Sequence, residues 1–292
     1  MRHIPESVDG VDIPGLPRIA VSMPARNVAP FIGAAIESVL TQSGVAVDLL
    51  VVDDASTDAT ADVAASFAAR GVRLLRNAEK RGIGYCHNLV IANTTAPLVA
   101  HVDADDILAP GALARLASAV LRDERVGQAY CDFYPMNTDG TVPPASMEAA
   151  RVFFARHRAP PINYTRELII HGMIVCHLRT YRRTVFDRVG GFDESLPWAE
   201  DYEMALRTAE HFSFAHVPEL LYARRVHPAS VTQGLRARTW RYWWSRWQLV
   251  RRQARAQNWT LFGRGALATH ALLLLGLAYV VRDSITREST DS

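Results

Sequence analysis

The sequence predicts an α/β protein: a sheet flanked by helices, followed by a helical carboxy-terminal extension. After Pro17, short apolar runs alternate with amphipathic stretches of helical period, the pattern of strands wrapped by helices. Two of those runs stop in acidic clusters, Asp53-Asp54 and Asp103-Ala104-Asp105-Asp106. Near the end, Trp240, Trp243, Trp244 and Trp247 recur at i, i+3, i+4 and i+7, one stripe of a helix.

In order, residues 18–23 read as a strand, 30–42 as a helix and 47–52 as a second strand. Residues 58–69 read as a helix that Asp58 caps, 72–75 as a strand, 84–92 as a helix and 98–102 as a strand. Such alternation implies parallel pairing, and ligands of parallel sheets bind where the strands end. From 132 to about 166 the periodicity weakens into Pro-rich, Arg-rich sequence that reads as an excursion over the site. Strand-like sequence resumes at 169–181, and a helix opens near Glu200. The expected domains are a loose leader at 1–17, a catalytic domain at 18–234 and the extension at 235–292.

Composition places the chain among globular proteins, with 49% hydrophobic and 21% charged residues. The net charge of +2 conceals an asymmetry: residues 220–282 hold arginines and no acid, leaving the rest at about −9. Cys86, Cys131 and Cys176 lack the spacing of a zinc site or a disulfide framework, so a reducing compartment fits. Residues 1–17 have no apolar core of a secretory signal. A cytoplasmic location is therefore expected, with the inner face of the cytoplasmic membrane as its limit.

Three acidic pairs invite chemistry, and each has a plain alternative. Asp103-x-Asp105 offers hard oxygen ligands of the kind that Mg or Mn prefers when bridging phosphates, yet the same residues suit a helix cap or solvated turn. Asp54 can accept a pyrimidine imide N–H, while Ser56 and Asp58 suit the cap of the next helix. Glu200-Asp201 suits a general base, but any acid gains from the dipole at a helix start.

Taken together, the motifs resemble the family 2 glycosyltransferases of the GT-A fold over residues 18–231. The matching pieces begin with Ala20-Val21-Ser22-Met23-Pro24-Ala25-Arg26-Asn27 and Val51-Val52-Asp53-Asp54-Ala55-Ser56-Thr57-Asp58. Arg81-Gly82, His87-Asn88, Asp103-Ala104-Asp105-Asp106, Gly190-Gly191-Phe192-Asp193-Glu194, Glu200-Asp201 and Arg225-Val226-His227-Pro228 follow in order. The resemblance implies a Rossmann-like mixed sheet and inverting transfer from a nucleotide sugar, UDP-linked, with a divalent Mn or Mg ion. It further implies that Pro24, Arg26, Asn27, Asp54, His87 and Asp103 line the nucleotide pocket. Asp103, Asp105 and His227 would serve the metal, Asp201 would be the catalytic base, and Glu200, His177 and Trp198 would face the acceptor, a glycan or lipid-linked hydroxyl. The family often has an aromatic residue where Arg26 stands and arginine where His87 stands, which loosens the assignment to uridine.

A nucleotidyltransferase would carry a Gly-rich loop after the first strand, where this chain has Met23-Pro24-Ala25-Arg26-Asn27. A non-catalytic nucleotide-sugar-binding protein is a further alternative. Nucleic acid is not expected as a partner. The tryptophan stripe, flanked by Arg238, Arg241 and Arg246, suits an anionic membrane interface or a packed core face equally. The apolar stretch 265–281 suits peripheral membrane contact or a homodimer contact. Deleting residues after Gly234 is expected to move the protein from the membrane to the soluble fraction; full-length protein found soluble on fractionation would remove the membrane expectation.

Overall fold

The computed structural model describes residues 15–155, 164, 168, 173–228 and 249. The leader and nearly all of 229–292 lie outside the described residues, so the expectations for the tryptophan stripe and for 265–281 find no structural counterpart. No helix among the described residues is long and apolar enough to cross a membrane.

The chain forms β1 (Arg18–Ala25), α1 (Ala29–Leu40), β2 (Ala46–Asp53), α2 (Thr60–Ala65), β3 (Arg73–Arg76), α3 (Ile83–Ala92) and β4 (Leu98–His101). It continues through β5 (Ile107–Leu108), α4 (Ala112–Leu121), β6 (Val126–Met136), α5 (Pro144–Ala155), β7 (His177–Arg182), α6 (Thr184–Val189), α7 (Glu200–Ala209) and β8 (Ser213–Arg225). One eight-stranded sheet results, in the order β3-β2-β1-β4-β7-β6-β8-β5. The expected parallel pairing holds for β3, β2, β1 and β4, but β7 runs antiparallel to both β4 and β6. The sheet is therefore mixed. This reversal brings the beginning of β7 to the edge where β1, β2 and β4 end, so residues from both kinds of strand meet there.

Alternation within the strands explains why two helical layers form. In β1, Ile19, Val21 and Met23 join the core beneath α1 and α4, whereas Ala20 points to the core beneath α3 and α6. In β2, Leu49 and Val51 face the first layer and Leu50 and Val52 the second. Strands buried on both faces need near-continuous apolar runs, and each buried Leu or Ile contributes about 1.5–3 kcal/mol.

Three elements differ from the sequence-based boundaries. The helix expected over 58–69 is shorter: α2 starts at Thr60, beyond Asp58, and ends at Ala65 before a 3₁₀ turn at Ala68–Arg70. Asp58 Oδ1 accepts from Thr60 N at 3.0 Å, while its Oδ2 accepts from Ala29 N at 3.1 Å at the start of α1. The segment from 132 is regular at first: β6 runs on to Met136, and α5 opens at Pro144, where a missing N–H costs nothing. The strand expected over 169–181 is the shorter β7; residues 169–172 lie outside the described residues.

A clamp ties α3 to the turn after α6. Asn88 Nδ2 donates to Phe192 O at 2.9 Å, and its Oδ1 accepts from Phe192 N at 2.7 Å, as a strand neighbour would. Arg207 of α7 donates to the carbonyl of Gly191 at 2.8 Å. A Cβ on Gly191 would fall 2.4 Å from Asn88 Oδ1. Gly191→Ala is therefore expected to lower stability by about 1–3 kcal/mol in urea titrations, through overpacking and loss of the clamp; an unchanged midpoint would show that the clamp is dispensable.

Candidate active site

The loops after β1 and β2 are bolted together by polar side chains. Asn27 and Ala55 take left-handed backbone conformations, with φ of 52° and 56°. Asn27 Oδ1 accepts from Thr57 N at 2.8 Å, and Ser56 Oγ and Thr60 Oγ1 accept from the backbone N–H groups of Asn27 and Val28. The first amides of α1 are thus capped by the neighbouring loop rather than by a residue of its own. Arg26 donates to the carbonyls of Asp54 and Ala55. Pro24 lies in β1 opposite Val52.

Asp54 is the hub of this corner. Its Oδ1 accepts from Asn77 Nδ2 at 2.9 Å and Arg81 N at 2.7 Å, and its Oδ2 accepts from Gly82 N at 2.9 Å. Burial alone would raise its pKa, but the bonds from Arg81, Asn77 and Gly82 reverse the direction and lower it. Its contribution to stability is therefore full above the unfolded-state pKa and is lost as the pH falls through the lowered folded-state value. His87 lies deeper. Its Nδ1 is 2.8 Å from Ser22 Oγ, its ring stacks on His101 at 3.7 Å, and burial, aided by Arg179, depresses its pKa to about 3. It is neutral at physiological pH.

After β4 the chain turns through Asp103, Asp105 and Asp106 into β5. Asp103 N donates to the hydroxyl of Tyr222 at 3.1 Å, and Asp106 Oδ1 accepts from Arg225 N at 2.7 Å, both partners lying in β8. Asp105 Oδ2 stands 2.8 Å from His227 Nε2, whose ring rests 4.7 Å from Phe31. Burial pushes the Asp103 carboxyl up to about 6, with Arg179 opposing and Asp105 and Asp201 adding.

The other side is built by β7 and α7. His177 stacks on Tyr222 at 4.7 Å, and burial, with Arg179 and Arg224, keeps it neutral. Two residues on, Arg179 Nη1 donates to Asp201 Oδ2 at 2.8 Å. Ala199, with φ of 63°, turns the chain so that Glu200 and Asp201 occupy the first turn of α7. Burial, with Asp201 beside it, raises Glu200 to about 7. Trp198, half-buried, stands just before that turn.

The donor set suits a hard divalent cation. Ligand atoms of Asp103, Asp106 and His177 lie within 4.8 Å of one another, so the structure brings His177, expected at the acceptor, beside the aspartates, while Asp105 pairs with His227. Spacing alone pointed to Asp103 and Asp105, but not to Asp106, Tyr222 or Arg225. Those join the site through the β5–β8 pairing, which no local pattern encodes.

Residues 20–190, more than half of the chain, match the family described as Glycosyl transferase family 2. The chain belongs to that family. Among family 2 relatives is the chondroitin synthase of Escherichia coli, 25% identical over 76% of this chain, which spans only 31% of the relative's length. Two solved structures share the fold. S. aureus TarS 1–349 in complex with UDP superposes with a TM-score of 0.58 at 16% identity, covering 81% of this chain and 65% of that one. A mannosyltransferase from Pyrobaculum calidifontis in complex with GDP-Man and Mn2+ gives 0.59 at 20% identity, covering 94% and 83%. The sheet and its flanking helices are thus those of a GT-A glycosyltransferase.

Asp54 gives a test of this corner. Asparagine offers one acceptor oxygen for three donors and sets an N–H against another N–H. Asp54→Asn is expected to cost about 1–3 kcal/mol by thermal or urea denaturation near neutral pH; wild-type stability would mean that the three bonds do not hold the corner.

Proposed function

We propose that this family 2 enzyme is an inverting glycosyltransferase that moves a sugar from a nucleotide-sugar donor, UDP-linked, to an acceptor hydroxyl. Its role would be glycan assembly: cell-surface polysaccharide or glycolipid. The observation that carries the reading is geometric: ligand atoms of Asp103, Asp106 and His177 lie within 4.8 Å of one another, and Arg179, two residues from His177 on β7, holds Asp201 at 2.8 Å. Carboxylates suited to a diphosphate-bound cation thereby share one site with a carboxylate suited to an acceptor. The synthase relative and the neighbours bearing UDP, GDP-Man and Mn2+ support the reading.

In this scheme Pro24, Arg26, Asn27 and Asp54 hold the nucleotide base, with His87 inward of them and Asp103 toward the ribose. Asp103, Asp105 and His227 would hold Mn or Mg; burial first, and then Asp105 and Asp201, raise the Asp103 pKa, and a cation there would relieve that cost. When bound, such an ion supplies positive charge to the departing diphosphate. Asp201 removes the proton from the acceptor hydroxyl as its oxygen attacks the anomeric carbon and the bond to the diphosphate oxygen breaks. Attack from the face opposite the leaving group inverts the centre. Glu200, His177 and Trp198 shape the acceptor side. The domain limits 18–234 and 235–292, cytoplasmic location, peripheral membrane contact by the extension and homodimer formation belong to the same proposal.

The test is release of nucleoside diphosphate from UDP-, GDP- and dTDP-sugars with p-nitrophenyl glycosides as acceptors, in Mn, Mg or EDTA. Release with one donor family, abolished by EDTA, is expected. Asp105→Asn should weaken metal-dependent donor binding in calorimetry, whereas Asp201→Asn should keep it and lower kcat by about 10²–10⁴. Pyrophosphate release from a nucleoside triphosphate would instead mark a nucleotidyltransferase, and donor binding without turnover a binding protein. Equal loss of donor affinity in both variants would remove Asp201 as the base.

A further inference from the structure

Arg179 is a largely buried cation of the sheet. It projects from β7, a central strand held by β4 on one side and β6 on the other. Its side chain is 11% exposed, and a buried guanidinium is tolerated only when its charge is met. One nitrogen, Nη1, donates both to Cys176 O at 2.9 Å and to Asp201 Oδ2 at 2.8 Å, while Nε has no hydrogen-bond partner among the described residues. The hydroxyl of Tyr181, two residues along the strand, is also buried without a partner. Leu178, between His177 and Arg179, has a φ of 34°, a conformation costly for a branched side chain and frequent where a site is being shaped.

The other oxygen of Asp201 accepts from Tyr202 N at 2.7 Å. Asp201 is therefore pinned at both oxygens, one by the amide of its own helix and one by a cation rooted in the sheet. A carboxylate has about four acceptor directions, so two remain for an incoming hydroxyl. Asp103, Glu200 and Asp201 all act on Arg179 and hold it protonated against the opposing effect of burial.

We propose that Arg179 is a positioning residue for Asp201: it fixes the carboxylate's orientation, so that the free lone pairs face the acceptor. The inference rests on the reading of Asp201 as the base.

The experiment is a double-mutant cycle in the full-length protein, using the donor and p-nitrophenyl glycoside pair selected by the panel above. Arg179→Met is expected to lower kcat about 100-fold, within the range for losing an effective general base, with donor KM changed by less than about threefold. Arg179→Lys keeps the charge but not the fork, and should recover at least about tenfold of that loss; it also serves if the Met variant fails to fold. Arg179→Met in an Asp201→Asn background should slow the enzyme no further, because the two side chains act as one unit. Additive losses, or a raised donor KM at unchanged kcat, would overturn the inference while leaving the glycosyltransferase reading intact. A wild type silent with every donor would remove that reading and the inference with it.

Discussion

Acidic side chains crowded onto one edge of a buried sheet are the constraint around which this molecule is arranged. Asp103, Asp105, Asp106, Glu200 and Asp201 come from two distant parts of the chain, and burial raises the cost of charge on Asp103, Asp106 and Glu200. The fold answers with specific partners. Tyr222 and the Arg225 amide serve the Asp103–Asp106 turn, His227 meets Asp105, and Arg179 meets Asp201. Most of these partners lie on β7, on β8 or immediately beyond it. The second half of the sheet therefore supplies the polar complement to acids that, but for Glu200 and Asp201, come from the first half.

Much of the first half was legible in the sequence because its signals are local. An apolar run ending in Asp53-Asp54 reads as a strand meeting a loop, and β2 does end at Asp53. What the string of residues did not disclose was the direction of side-chain service. Asp58 looked like the cap of its own helix, and in fact divides its carboxylate between that helix and α1. Asn27 reads as a ligand residue, and the fold shows that its side chain also braces Thr57. Such cross-loop bonds depend on which strands are neighbours, and neighbours in space leave no periodic trace.

The second half was less legible for a related reason. A parallel βαβ pattern announces itself through alternation, whereas β7 enters antiparallel between β4 and β6, with a register shift between Ala129 and Cys131. His177, Arg179 and Tyr181 could be seen to share one face of a strand. That this face would look across at α7, and not into solvent, follows from the reversal alone. His87 marks another limit: its place in the motif suggested a polar contact, and the structure seats it against Ser22 and the ring of His101, where it stays uncharged.

Strands β6 and β7 are antiparallel neighbours, yet no tight turn joins them; the chain leaves at Met136 and returns at His177. A hairpin fixes strand pairing through the length of its turn, so adding or removing residues there shifts the pairing. Here the pairing is secured by burial and by β4 and β8 on the outer sides, and the excursion is released from that duty. The ends of the excursion still serve the site, because Arg225 donates to the carbonyl of Thr138 at 2.7 Å and Arg179 to that of Cys176 at 2.9 Å. The molecule thus anchors both ends of this stretch in its chemical frame while leaving its length unset by strand register.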